Sequence, residues 1–234
     1  MTVLAERNDN NIEASAFIKS QQKDPLRERV YQYLTRVMST GGVQHGQAIN
    51  QDLICKELQV SRAPLRDALI RLESEGVVTI VARKGVYLTP VNEAFLRNAY
   101  QVINTLEIEC LNEVFDFLTM DHVKELEESN SKQKLFLQQN QATAYHEENM
   151  RFHDIFLDLT ENALLRRLHT SVANRLHLFC QSACFDDWEN QRLNEHERFI
   201  AAIKNKDRDA AINILKNEHW SFAQHKDFLE RYYV

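Results

Sequence analysis

Glycine and proline are scarce in this chain of 234 residues, which contains 5 glycines and 3 prolines. Strands and the turns that join them depend on these residue types, so their scarcity favours a helical fold. The hydrophobic fraction of 44% and the charged fraction of 26% are typical of a soluble globular protein. The length suits two domains or one large one. We therefore expect a mainly α-helical protein.

Long apolar segments are also lacking. No run approaches the roughly 18 residues that a membrane-spanning helix needs, and the N-terminus lacks the basic and then apolar pattern of a secretory signal. These absences predict a cytoplasmic protein. Residues 1–23 are polar and show no sustained amphipathic pattern, so we expect them to form a flexible tail.

Cysteine occurs four times, with a spacing that fits neither a zinc finger nor a disulfide framework. Cys180 and Cys184 are spaced so that they could share one face of a helix. Buried free thiols are the favoured interpretation, because cysteine packs readily as a small apolar residue. The other two cysteines are Cys55 and Cys110.

The net charge of −6 is unevenly distributed along the chain. Residues 24–90 carry 9 basic and 7 acidic side chains, whereas residues 91–234 carry 16 basic and 24 acidic ones. Local charge matters more than the total for attraction to phosphate. An excess of two positive charges is weak evidence alone, so the placement of the basic residues decides whether DNA is a partner.

Residues 24–90 read as three helices and a hairpin. Apolar residues recur at helical spacing from Asp24 to Thr40, from Asn50 to Leu58, and from Ser61 until Gly76. Then β-branched and aromatic runs at 77–80 and 86–88 flank a short turn. Three helices and a hairpin in this order predict a winged helix-turn-helix domain.

After Pro90 the chain reads as helical to its end. The pattern predicts a bundle of helices near 92–118, 121–139, 142–160, 163–184, 187–205 and 207–230. Residues 91–234 are therefore expected to form a second, all-helical domain.

Basic and small residues cluster at the start of the third helix and at the hairpin tip. Arg62 and Arg66 lie one turn apart near the helix N-terminus, which enters the major groove in helix-turn-helix docking, and the arginine fork matches O6 and N7 of guanine. The hydroxyl and N–H groups at the helix start can hold a phosphate. Arg71, farther along, is interpreted as a surface charge. The candidate DNA-binding residues are Ser61, Arg62, Pro64, Arg66, Arg83, Lys84 and Gly85.

The segment from Val60 to Val78 reads V-S-R-A-P-L-R-D-A-L-I-R-L-E-S-E-G-V-V. It resembles the recognition helix of the GntR family of regulators, whose usual form is V-S-R-x-P-V-R-E-A-L-x-x-L-x-x-x-G-L-V. Residues 42–49 resemble that family's G-x-L-x-P-G-x-x-L, with His45 where proline is usual, and residues 83–88 resemble its wing tip. The resemblance implies a homodimer that binds an inverted-repeat DNA operator.

The helical part resembles the FCD domain of the FadR-type branch of that family, which often holds a divalent metal and senses a small molecule. Its pattern is D-x-x-x-H, a second histidine that starts another helix, and a third histidine 22 residues later. Here Asn149 and His153 occupy the first motif, and His196 starts the second. Counting 22 residues from His196 reaches Glu218, with His219 one place beyond.

The resemblance therefore implies a site for zinc, nickel or manganese built from Asn149, His153, His196 and Glu218, with His219 as the alternative to Glu218. The family's arginine that often binds an effector carboxylate is replaced by Ile103, four residues before Glu107. This replacement disfavours a simple organic acid as the effector.

The residues themselves leave two interpretations of these histidines open. Asn149 and His153 share a helix face at spacing i, i+4, and His196 lies on an apolar stripe with Phe199 and Ile203. They form either a metal site or a set of buried histidines that hydrogen bonds satisfy without metal. The expected effector pocket contains Asn149, His153, Arg175 and His196.

The sequence thus predicts a non-enzymatic transcription regulator whose operator affinity depends on an effector bound in the second domain. The alternative is a helical metalloenzyme with a DNA-tethering module, since helical bundles do host metal sites. No paired Glu-x-x-His motif, phosphate loop or nucleophile elbow supports it. An architectural DNA binder without a sensor is a third possibility, for which the second domain is too large.

Overall fold

The structure is a computed structural model that describes residues 24–39, 47–178 and 186–233. It divides into two units at the boundary between Val91 and Asn92. The predicted flexible tail at 1–23, His45, Cys180 and Cys184 lie outside the described residues. Of the two other cysteines, Cys110 is a buried free thiol and Cys55 a half-buried one.

The N-terminal unit contains the three helices and the hairpin that the sequence predicts. The elements are α1 (Leu26–Ser39), α2 (Gln51–Leu58), α3 (Arg62–Ser74), β1 (Val78–Val81) and β2 (Gly85–Leu88). Asn50 caps α2 by accepting a hydrogen bond from the Leu53 amide at 3.0 Å. Gln59 adopts a left-handed φ of 55° and turns the chain from α2 into α3. Leu65, Leu69 and other apolar residues of α3 form the core.

The hairpin is antiparallel, with Val78 opposite Leu88 and Val81 opposite Gly85. The segment before α2 forms a short antiparallel bridge with β2, in which the Ile49 amide donates to the Val86 carbonyl at 2.8 Å. The winged helix-turn-helix that the sequence predicts is therefore formed.

The second unit is helical throughout its described residues. Its helices are α4 (Glu93–Val114), α5 (Met120–Gln138), α6 (Ala142–Leu157), α7 (Ala163–Leu178), α8 (Asp186–Lys204), α9 (Arg208–Ile214) and α10 (Phe222–Tyr233). Helix α5 packs against α6 and α8, and α4 packs against α7 and α10. The mainly α-helical fold that the sequence predicts is confirmed. None of the helices in the described ranges is long and apolar enough to cross a membrane.

The prediction of one continuous helix over 207–230 is wrong. Helix α9 ends at Ile214, a π-helical turn follows from Leu215 to His219, and α10 begins at Phe222. Between them Trp220 leaves helical geometry, with φ of −103° and ψ of 25°. Its indole N–H donates to Glu107 at 2.7 Å. This buried hydrogen bond holds the tryptophan inward where a regular helix would continue.

Candidate functional site

Helix α3 presents its two predicted DNA-binding arginines to solvent. Helix α3 begins at Arg62, and Ser61 is its N-cap residue, although the Ser61 side chain makes no capping hydrogen bond. Arg62 and Arg66 are exposed, and Pro64 is half-buried in the first turn. Arg62 pairs with Asp52 at 2.7 Å, and both side chains are largely exposed. Such an exposed pair costs little to break, so Arg62 can turn to a DNA base.

The wing tip presents two further cations. Three residues lie between Val81 and Gly85, which pair across the hairpin. Arg83, in the middle of the loop, has a left-handed φ of 63°, and Gly85 has a φ of 129°. Both Arg83 and Lys84 are exposed. This backbone geometry turns the chain tightly and leaves both side chains free to reach phosphate or a minor groove.

Arg71, interpreted as a surface charge, is exposed and also makes contacts within the domain. Its guanidinium lies 3.7 Å from the centre of the Tyr31 ring and pairs with Glu28 at 2.7 Å and Glu75 at 3.1 Å. These contacts tie α3 to α1.

Three histidines from three elements of the helical unit converge in its interior. His153 on α6, His196 on α8 and His219 in the π-helical turn each place one ring nitrogen within 4.8 Å of the others. All three side chains are buried. The Phe152 ring stacks on His196 with a centroid separation of 3.8 Å, which fixes the plane of that imidazole.

We call these three residues the histidine triad. The Nδ1 atom of each one lies within hydrogen-bond distance of an oxygen atom. The acceptors are Glu107 for His153 (3.1 Å), Asn130 for His196 (3.2 Å) and Glu195 for His219 (3.0 Å). Each ring is thus assigned a proton on Nδ1, which makes Nε2 the atom that would bind a metal. Metal-binding histidines are oriented in the same way, by an oxygen on the nitrogen that does not bind the metal.

The three Nε2 atoms differ in their surroundings. His219 Nε2 lies 3.1 Å from His153 Nε2 and 2.9 Å from Arg192 Nη2. His196 Nε2 is buried and has no hydrogen-bond partner among the described residues. Burial, and then the charges of neighbouring cationic groups, hold the pKa of His196 well below its ordinary value. Three imidazole nitrogens that converge in this way fit a divalent metal.

Glu107 on α4 anchors this arrangement, and the sequence analysis did not identify it as a site residue. It is wholly buried and accepts hydrogen bonds from His153, from His169 Nε2 at 2.9 Å and from Trp220. Burial alone would raise its pKa, but the charge of His153 and the hydrogen bonds from both histidines hold the pKa well below its usual range. The sequence contained one signal for this residue: Glu107 shares a helix face with the apolar residues Ile103 and Cys110, so its carboxylate could be expected to be buried.

The third histidine of the triad is His219, which the sequence analysis gave as the alternative to Glu218. Glu218 is half-buried and pairs with Arg198, so the structure does not bring it to the triad. The spacing from His196 is 23 residues rather than 22 because the π-helical turn contains His219. A π turn contains more residues than an α turn, with i→i+5 hydrogen bonds.

Asn149 and Arg175, the two other residues predicted to lie in the effector pocket, do not line the cavity described below. Asn149 is buried on α6, one turn before His153. Arg175 was expected in the effector pocket, but its guanidinium stacks on Phe95, 3.8 Å from the ring centre. It does not line the cavity beside His153.

A small cavity of about 40 Å³ adjoins the triad through His153. The residues lining it come from α4, α6, α7 and the turn before α10: Glu107, Met150, His153, Asp154, Arg166, His169, Thr170, Ala173 and Trp220. The Arg166 guanidinium bonds to Asp154, Asp158 and Thr170. Its charge is therefore already balanced. The cavity has room for a few waters or a small polar group.

Two family models match the chain. The FCD domain model matches residues 98–222, and the model described as bacterial regulatory proteins, gntR family, matches residues 26–88. The first match includes the whole histidine triad, and the second includes α3 and the hairpin.

Known relatives agree with these matches. The HTH-type transcriptional regulator YdhC of Bacillus subtilis is 26% identical over 199 residues, which cover 82% of this chain and 87% of the relative. The gluconate operon transcriptional repressor of the same organism is 24% identical over 207 residues, covering 86% and 83%. The solved structure of E. coli McbR/YncC matches with a TM-score of 0.73 at 19% identity, covering 90% of this chain and all of that one, which shows the shared fold.

The metalloenzyme alternative finds no support in these matches, because the relatives are transcriptional regulators. The chain belongs to the gntR family of bacterial regulatory proteins with an FCD domain, and it is a DNA-binding transcriptional regulator rather than an enzyme.

Proposed function

We propose that this regulator binds an inverted-repeat operator as a homodimer in the cytoplasm, and that an effector bound beside the histidine triad releases it from DNA. The exposed Arg62 and Arg66 read bases in the major groove, while Arg83 and Lys84 at the wing tip bind the neighbouring DNA. A dimer would present two such helices to two half-sites. Several relatives are named repressors, so repression is the proposed direction.

The observation that carries the sensory part is the convergence of three Nε2 atoms beside a cavity. We propose that His153, His196 and His219 hold zinc, nickel or manganese, with Asn149 close by on α6. A metal held there supplies an electrophilic centre for an oxygen of the effector. Glu107, Asn130 and Glu195 orient the three rings.

The cavity suits a small polar effector. Names of two relatives refer to the gluconate and galactonate operons, so sugar acids are the first compounds to test. Binding one of them would require the cavity of about 40 Å³ to widen. An effector that favours one of two conformations shifts operator affinity, and a 100-fold change requires about 2.7 kcal/mol of coupling.

A binding experiment tests this proposal. An operator is selected from random DNA with the purified protein, and the affinity for it is measured with and without zinc and each sugar acid. The proposal expects wild-type protein to release the operator with at least one combination. The double variant His153→Ala, His196→Ala should bind the operator normally and fail to respond. A double variant that responds like wild type would mean that the sensory site lies elsewhere.

Sedimentation tests the dimer independently of the effector. A homodimer at micromolar concentration is expected, with one dimer bound to each operator. A monomer both alone and on DNA contradicts this part of the proposal.

A further inference from the structure

Arg192 reaches the triad from α8, one turn before His196. It is buried, and its Nη2 atom donates to His219 Nε2 at 2.9 Å. The sequence analysis did not identify this residue. It is the guanidinium that contacts the Nε2 lone pair of a triad histidine directly.

That lone pair cannot serve two partners. His219 Nδ1 carries the proton that goes to Glu195 at 3.0 Å, so Nε2 has a single lone pair to offer. A guanidinium N–H that occupies it excludes a metal, and a bound metal excludes the N–H. Arg192 and a divalent cation therefore compete for the same atom.

Other contacts keep Arg192 near the site when this hydrogen bond is lost. Its Nη1 atom donates to the His219 carbonyl and lies 3.2 Å from His225 Nε2. The guanidinium also lies 5.2 Å from the centre of the Trp220 ring, and Trp220 lines the cavity. Displacement from His219 would thus leave a buried positive charge with an unused donor beside the metal.

The charges around the triad indicate what takes that donor. The family's aspartate is Asn149 here, which brings no negative charge to a metal. Glu195 already faces Arg192, at 3.6 Å from Nη1. Glu107 and Glu195 bring two negative charges to the triad and Arg192 brings one positive charge, so the two positive charges of a metal leave an excess of one. A further anion would balance that excess, because unpaired buried charge is costly.

We propose that Arg192 occupies the metal's place on His219 in the metal-free protein, and that metal binding turns its guanidinium to the anionic group of a carboxylate effector. The family's effector-binding arginine on α4 is replaced here by Ile103. Arg192 on α8 then takes over its role. A carboxylate effector is restored as the expected class, contrary to the prediction from Ile103. This inference rests on the proposed metal site.

Zinc binding tests the competition, measured by calorimetry on metal-free protein with and without excess acetate at constant ionic strength. Acetate should tighten zinc binding to wild-type protein. In Arg192→Met, zinc should bind about tenfold or more tightly without acetate, the change expected on removing one charge-assisted hydrogen bond, and acetate should have no further effect. The control Arg198→Met removes an exposed arginine of the same helix, paired with Glu218, and should match wild type.

Zinc binding to Arg192→Met that is no tighter than to wild type, with the acetate effect retained, overturns the inference alone. Zinc binding that survives in His153→Ala, His196→Ala contradicts the proposed metal site as well. If the Arg192→Met variant does not fold, a measurement on the wild-type protein tests the inference instead. The side-chain ¹⁵N resonance of Arg192 should shift on zinc addition and again on acetate addition, and an unchanged resonance overturns the inference.

Discussion

The Nε2 atoms of His153 and His219 face each other at 3.1 Å, while their Nδ1 atoms donate to the carboxylates of Glu107 and Glu195. Because each Nδ1 atom faces a carboxylate, the Nε2 atoms are the ones that would bind a metal. Arg192 Nη2 donates to His219 Nε2 at 2.9 Å in this structure. This relationship links the buried carboxylates to the proposed metal site and determines what substitutions there should do.

The identity of the third ligand can be tested by two neighbouring substitutions. His219→Ala should remove metal binding, because it deletes one of three converging nitrogens. Glu218→Ala should retain it, because the Glu218 carboxylate pairs with Arg198 instead. Elemental analysis after zinc loading and dialysis measures both. Zinc lost from Glu218→Ala and kept in His219→Ala would restore the ligand set predicted from the 22-residue spacing.

Glu107→Gln should weaken both the fold and the metal site. His153, His169 and Trp220 donate hydrogen bonds to the Glu107 carboxylate. In the variant the glutamine NH2 group would face at least one of these donors, so the free energy of unfolding should fall by about 3 kcal/mol. Zinc affinity should fall about 10- to 100-fold, as it does when other proteins lose a partner of a metal-bound histidine. Denaturant unfolding in EDTA and calorimetry measure the two effects.

Glu109→Gln is the matched control, since Glu109 is exposed on the same helix. It should leave both quantities unchanged. A Glu107→Gln variant as stable as wild type would show that the buried carboxylate does not stabilise the structure.

The stability of the metal-free protein should fall in acid, partly through His225. Burial, and then the charge of Arg192, lower the pKa of His225 from 6.5 to about 4. Below pH 6.5 the unfolded chain takes up this proton more readily than the folded protein does. The contribution of His225 to stability is therefore fully present above pH 6.5 and is lost as the pH falls towards 4. This one group contributes about 3 kcal/mol at most.

Unfolding free energies measured from pH 7 to pH 4 test this contribution. His225→Gln cannot take up the proton, so its stability should depend less steeply on pH, by up to one proton. An identical pH slope in the two proteins would contradict the buried, neutral state of His225.

Two arginines of α3 should separate DNA recognition from stability. Arg62→Ala should retain the thermal stability of wild type and lose discrimination between operator and scrambled DNA, at about 1–3 kcal/mol per half-site. Arg71→Ala should lower the melting temperature, because Arg71 stacks on Tyr31 and pairs with Glu28, and should retain discrimination. Fluorescence anisotropy on both DNAs and thermal unfolding measure the effects. The reverse outcome would assign base reading to Arg71.

The sequence predicts the local features of this protein well. Periodicity identifies the helices and the hairpin because their apolar positions face one core, and the spacing of Asn149 and His153 identifies a buried face of α6. Residues that meet only through tertiary packing, such as Glu107 and Arg192, are not predictable from spacing. They lie on different helices from the histidines they contact, His153 and His219.

The break before α10 illustrates the same limit. Apolar periodicity continues through residues 207–230, so the pattern alone favours one helix. The π-helical turn is followed by Trp220, whose indole donates a hydrogen bond to Glu107, 113 residues earlier in the chain. In this turn His219, rather than Glu218, lies beside His153 and His196.

Anomalous X-ray diffraction from crystals of the zinc-loaded protein, collected at the zinc absorption edge, tests the central claim most directly. The account predicts one strong peak in the helical unit, at about 2.0–2.1 Å from the Nε2 atoms of His153, His196 and His219. A triad without an anomalous peak, or a zinc ion held by Glu218 instead of His219, would contradict it.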